Sequence, residues 1–254
     1  MKDTLRQILV VLSVLATLVV NLLANALPFN GLTTAEISDR FRVYFVPAGY
    51  VFSVWGVIYL GLIAYAVFQA LPSQRENPRL RRIAPFAVTA ALCNGVWLFL
   101  WHFEQFTLTL VPMFGLLIML ILTHLDLETG RIPVEPAETW AVRVPFSIYL
   151  GWITVAAAAN ITDVLYFLQW DGWGIGARDW TLILFAAVLV LAGLMSITRR
   201  DAAYSLVIVW ALAGIAVKQS AAKSIVLGAL VTAALILAVL GYSLYPRKAA
   251  KTDS

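Results

Sequence analysis

The chain has 254 residues, 61% hydrophobic and only 13% charged, with a formal net charge of +4. A soluble domain carries roughly 25% charged residues, so this composition excludes an ordinary soluble enzyme. The basic residues are spread over loops, which argues against a nucleic-acid partner. The single cysteine, Cys93, excludes an internal disulfide or a thiolate metal cluster.

A spanning helix needs about 20 mostly apolar residues. Eight stretches approach that length: 8–28, 48–71, 83–101, 107–125, 144–166, 178–198, 202–217 and 221–245, the seventh being the shortest. Alternating strand patterns of about ten residues are absent, so a membrane barrel is not expected. The fold class is all-α, a polytopic integral membrane helical bundle of about eight transmembrane helices.

In span one, Lys2 and Arg6 precede the apolar run, and Ala24-Asn25-Ala26 resembles a small-residue cleavage site. The run from Ile8 exceeds the roughly 7–15 residues of a signal core, so the span is expected to remain. Asn21 and Asn25 share a face at i, i+4; helix association is the expected role, pocket lining the alternative. The longest loop, about 29–47, offers Thr33-Thr34-Ala35-Glu36 as capping residues for a short amphipathic helix.

Span two places Phe52, Trp55 and Tyr59 at i, i+3 and i+7, on one helix face. After the basic linker from Pro72 to Arg82, span three repeats that spacing with Asn94, Trp97 and Trp101. His102 follows, expected to pack at the interface, and Glu104 is expected to be solvated. Span four ends near His124; the two histidines sit at opposite membrane faces and cannot share a metal, so no metal site is expected. Span five carries Tyr149, Trp152, Ala156 and Asn160 on one face, with Asp163 as an expected surface cap. Trp55 and Trp152 lie roughly 11–12 Å inside their spans at about 1.5 Å per residue, too deep for an interfacial belt. A buried indole N–H needs a partner, which Asn94 or Asn160 can supply. Single aromatic stripes usually pack against neighbouring helices; three together also suit a cavity for a flat hydrophobic ligand.

Trp170, Trp173 and Trp180 crowd the loop before span six, where an aromatic belt is expected. Lys218 and Gln219 are expected to snorkel at a helix end. With the N-terminus in the cytoplasm, Lys2, Arg6, Arg75, Arg79, Arg81, Arg82, Arg131, Arg143, Arg199, Arg200, Arg247, Lys248 and Lys251 fall on the cytoplasmic side. Arg40, Arg42, Arg178, Lys218 and Lys223 fall outside, giving 13 against 5 of the 18 basic residues. The positive-inside rule then predicts both termini in the cytoplasm.

Pro47 to Tyr59 resembles the Pro-x-x-Trp-x-Phe-x-x-Val-Trp-x-x-x-Tyr signature of the translocator protein / tryptophan-rich sensory protein (TspO/MBR) family. Asn94-Gly-Val-Trp97 is similar to that family's third-helix segment, and Tyr149-Leu-Gly-Trp152 with Asn160 to its fifth. The resemblance covers about residues 5–168. Departures are Tyr50 where the family has Trp, the displaced Pro145, and a first loop whose nearest aromatic is Tyr44.

The resemblance implies a five-helix bundle, residues 1–168, that binds tetrapyrroles or sterol-like molecules, with an additional three-helix membrane segment over 169–254. It implies a pocket formed by Tyr50, Phe52, Trp55, Tyr59, Asn94, Trp97, Tyr149, Trp152 and Asn160, with 29–47 as its lid. The expected function is a binding or sensory protein for porphyrin or other planar hydrophobic ligands. A transporter of a hydrophobic metabolite and a light-dependent porphyrin-degrading enzyme are the alternatives. No nucleophile–base pair or deep carboxylate is evident, so no catalytic residue is assigned. No cofactor is required; a porphyrin or haem-like molecule enters as ligand. The expected setting is the bacterial plasma (inner) membrane, with the lipid bilayer as partner and a homodimer as an allowed assembly.

Overall fold

A computed structural model describes residues 3–27 and 29–245. Pro28, the end of the expected first span, and the basic residues Lys2, Arg247, Lys248 and Lys251 lie outside the described residues.

Among the described residues every regular element is helical. Helix α1 is Asp3–Ala26 and the short α2 is Thr34–Asp39. Glu36 and Thr33 form the capping box that starts α2: each side chain accepts from the other's backbone N–H. Helix α3, Gly49–Ala70, opens in a 3-10 turn and stops at Leu71, held extended by Pro72. Helix α4, Pro78–His102, is capped by Asn77, whose side chain accepts from the N–H of Arg79 and Leu80, with Pro78 at its first position. Helix α5 is Phe106–Asp126.

Helix α6, Pro136–Phe167, passes through a π turn at Thr139–Arg143 before running regularly. Helix α7 is Ala177–Arg199, α8 is Ala202–Lys218 and α9 is Lys223–Leu244. Seven of the long helices are long and apolar enough to cross a membrane. Helix α8, with 17 residues, reaches only about 25 Å at ~1.5 Å per residue, short of a ~30 Å hydrocarbon core. Its shortness follows from its neighbours: tight turns bound it on both sides, and most of its faces contact protein.

Helices α1, α3, α6, α5 and α4 pack in that order into a closed ring of five. Helix α8 docks on the outside of α6, and α7, α8 and α9 pack on one another as a second group. The docking needs bare backbone at two points. A Cβ on Gly151 of α6 would sit 2.7 Å from the Tyr204 carbonyl oxygen, and one on Gly214 of α8 would sit 2.1 Å from Val51. Large apolar side chains such as Leu12, Leu22, Val190 and Leu227 point outward, as lipid-facing residues do.

At the end where α1 begins and α9 stops, polar links cross between helices. Arg79 donates to both oxygens of Glu138 at 2.7 and 2.8 Å. The Ser147 hydroxyl donates to Asp201 at 2.5 Å, tying α6 to the α7–α8 turn. The opposite end carries α2 and the 29–47 loop.

Candidate ligand-binding site

The three aromatic stripes meet inside the five-helix ring. Phe52 and Trp55 of α3, Asn94, Trp97 and Trp101 of α4, and Trp152 and Asn160 of α6 line one chamber. Thr34 and Ser38 of α2 and the Val46-Pro47 segment line it from the lid side, and Met113 of α5 completes the wall.

The rings interlock rather than face an open hollow. Phe52 meets Trp152 edge-on at 5.6 Å, Trp55 meets Trp152 at 6.3 Å, and Trp97 stacks on Trp101 at 5.4 Å. About 40 Å3 stays free, room for roughly three water molecules. The expected space for a flat macrocycle between the stripes is therefore missing, because edge-to-face contact lets the indoles fill it themselves.

A larger space adjoins the chamber. A groove of about 420 Å3 runs between α1 and α3 under the lid, within the ~300–1,000 Å3 of small-molecule sites. Leu18, Asn21, Leu22 and Asn25 of α1 form one wall, Tyr59 and Leu98 the other. Thr34, Phe52, Trp55 and Trp97 belong to both spaces.

The buried polar groups divide into engaged and free. Trp97 donates its indole N–H to Asn160 Oδ1 at 3.2 Å, and Asn160 Nδ2 donates to the Thr109 hydroxyl at 2.9 Å. Asn160 thus positions Trp97, and both ends of its amide are engaged. Asn21 donates to Asn94 Oδ1 at 2.8 Å, the helix association expected of it. Asn94 Nδ2, Trp152 Nε1 and Asp163 Oδ1 have no partner among the described residues, although all three residues are at most 2% exposed and line the chamber. Such groups carry a desolvation cost of about 1–3 kcal/mol each until paired.

Asp163 corrects one expectation: it is a buried chamber residue, not a surface cap. It follows Asn160 by three residues and therefore shares its face, which is the signal that places it. Thr34 and Ser38 were not legible as lining residues, since only the folded loop brings α2 over the chamber. Tyr149 is buried behind Trp55 at 5.7 Å and does not line the chamber. Tyr50 lies outside it, half exposed against Trp210 at 5.4 Å.

The lid is held from several sides. Trp101 donates its indole N–H to the Thr34 carbonyl at 3.2 Å, and His102 Nε2 lies 3.2 Å from the Thr34 hydroxyl. His102 is fully buried, a lid contact rather than interfacial packing. Arg40 pairs with Glu104 at 2.5 Å, and this hydrogen bond holds the Glu104 carboxyl below its ordinary range. The Thr33 backbone N–H, then its hydroxyl, does the same for Glu36.

Lys218 and Gln219 also turn to the lid instead of snorkelling. Lys218 pairs with Asp39, and Gln219 Nε2 donates to the carbonyls of Val43 and Tyr44 at 3.0 and 3.2 Å. Ala48 donates its N–H to the Gly214 carbonyl at 3.1 Å, and Trp210 its indole N–H to the Val51 carbonyl at 3.2 Å. Helix α8 therefore grips both the lid and the start of α3. Among the described residues no group of three His, Cys, Asp or Glu side chains is placed to hold a metal.

A family model described as TSPO-like protein matches residues 7–242, from α1 into α9 and well past the five-helix ring. No curated protein and no solved structure matches the chain.

Proposed function

This chain belongs to the TSPO-like protein family, and from that premise we propose that it binds a planar hydrophobic ligand of tetrapyrrole type and signals its occupancy through the lid. Residues 1–168 carry the binding unit, and 169–254 brace it. The observation that carries the reading is the set of unpartnered buried groups at the chamber: two N–H donors, from Asn94 and Trp152, and the Asp163 carboxyl oxygen. An apolar wall with a few converging polar groups is the pattern of a small-molecule site.

The ligand body lies in the groove beside Tyr59, Trp55 and Leu22, and a polar substituent reaches the chamber. An acceptor oxygen there satisfies the Asn94 and Trp152 donors. Fuller entry of the macrocycle requires the Phe52 and Trp152 rings to separate. Because Thr34 lines both spaces and is bonded to Trp101 and His102, ligand entry bears directly on α2.

Titration of the purified protein with protoporphyrin, followed by tryptophan fluorescence quenching, tests this. The Trp55→Ala, Trp152→Ala double variant is expected to lose affinity by roughly tenfold or more, given about 0.5–1.5 kcal/mol per ring contact. Unchanged affinity overturns the site. A carrier of a hydrophobic metabolite is the second reading, favoured by the groove's position between α1 and α3; saturable flux in proteoliposomes supports it, and binding without flux supports the sensor.

A further inference from the structure

A third concave space lies on the far side of α6 from the chamber. It measures about 410 Å3 and is walled by the lid segment Arg42–Phe45, the end of α6, the tryptophan-rich turn and the start of α7. The last turns of α6 are a shared partition: Ala159, Asn160 and Asp163 face the chamber, while Ile161, Thr162 and Leu165 face this crevice. The space exists only because α7 is present.

The walls have two chemical characters. Phe45, Leu165 and Leu184 supply an apolar surface. Near the rim, Trp170 lies 5.3 Å from Trp180, and Trp180 is locked by donating its indole N–H to the Gly172 carbonyl at 2.9 Å. These rings stand where one span ends and the next begins, the level of lipid headgroups.

Charge distinguishes the occupant. On the lid, Arg40 is paired with Glu104 and Lys218 with Asp39. Arg42, in the crevice wall and exposed, has no ion pair or hydrogen bond among the described residues. Asp171, also in the wall at the tryptophan-rich turn, accepts from the Trp173 N–H at 2.9 Å and keeps its negative charge, with no ion pair to Arg42, so the lid side of the crevice carries the cation. A cation over an apolar slot at headgroup level complements an acidic head on an acyl body.

We propose that this crevice is a second binding site, for an anionic phospholipid. Its phosphate pairs with Arg42, its glycerol region lies along Trp170 and Trp180, and its acyl chain follows Leu165 and Leu184 into the bilayer. The site is separate from the chamber, since Trp55 and Trp152 line no part of it.

The test is native mass spectrometry of the full chain released from nanodiscs of equal phosphatidylglycerol and phosphatidylcholine. Phosphatidylglycerol is expected to be retained about fivefold over phosphatidylcholine, the selectivity one basic residue provides at a membrane surface. Arg42→Gln removes the preference, and Arg42→Lys keeps most of it. Thr162→Phe, which fills the crevice from a partly exposed position on α6, lowers retention of both lipids. Trp55→Ala leaves the preference intact, so the result stands apart from that of the porphyrin titration. Equal retention of the two lipids, a preference undiminished in Arg42→Gln, or total retention unchanged in Thr162→Phe overturns the proposal. Saturable binding of free palmitate without any phospholipid preference assigns the crevice to a soluble acid and overturns it too.

Discussion

Two asparagines on the same aromatic framework do opposite work. Asn160 is consumed by Trp97 and Thr109, so it builds the wall; Asn94 receives from Asn21 and keeps a donor free. Replacing Asn160 with Leu strands the Trp97 indole N–H, while the Thr109 hydroxyl keeps its bond to the Phe106 carbonyl. It is expected to lower stability by about 1–3 kcal/mol, read as a fall in thermal unfolding temperature in detergent. Trp152→Phe is the converse case. It removes an N–H without a protein partner, which offsets part of the packing lost with the larger ring, so the unfolding temperature is expected to fall less than in Asn160→Leu. Porphyrin affinity is expected to fall by about fivefold to tenfold, the worth of one hydrogen bond near 1 kcal/mol. A loss of stability in Trp152→Phe larger than that in Asn160→Leu contradicts the assignment of a free donor.

At the scale of elements, the lid is a six-residue helix, α2, on a long loop, too short to be stable alone. It is ordered by its contacts, and several come from the end of α8. The Lys218→Gln, Gln219→Ala double variant is therefore expected to speed backbone hydrogen exchange over residues 34–48, with faster ligand association. Unaltered exchange removes α8 from the lid's support.

Acid loosens the same element. Glu36 and Glu104 both have folded values depressed below 4.5. Their stabilising contacts are complete above that ordinary value and are lost as pH falls through the depressed ones. Both carboxylates are solvent-facing, so the effect is local and modest. Lid exchange, after correction for intrinsic rates, is expected to be flat from pH 7 to 5 and to rise below about 4.5. Glu104→Gln should flatten that rise.

For the whole molecule, the ring of five and the outer group of three are joined through α8. Its contacts run to α6, to the lid and to the opening turn of α3. Gly214→Leu drives a side chain into Val51 and Pro47. It is expected to lower the unfolding temperature of the entire chain and to weaken porphyrin binding, although no atom of Gly214 lines the chamber. Normal binding in a stably folded Gly214→Leu protein counts against α8 as a brace.

Much of the architecture was legible before folding. Apolar length marks the spans, and a 3.6-residue repeat places Phe52, Trp55, Trp97, Trp152 and Asn160 on inward faces. Thr33 and Glu36 announce the start of α2. These are local properties: a residue's direction on its own helix depends only on its position in the repeat. What periodicity cannot state is the distance to the next helix or the tilt of a ring across it. Only the packed bundle decides that the indoles close their own hollow, and that Trp97 takes Asn160 while Trp152 goes without a partner. The same holds for Asp163, which belongs to the interior, and for Lys218 and Gln219, which reach back 175 residues or more to the lid. Those outcomes depend on pairs far apart in the chain, and such pairs are set by how whole helices fit together.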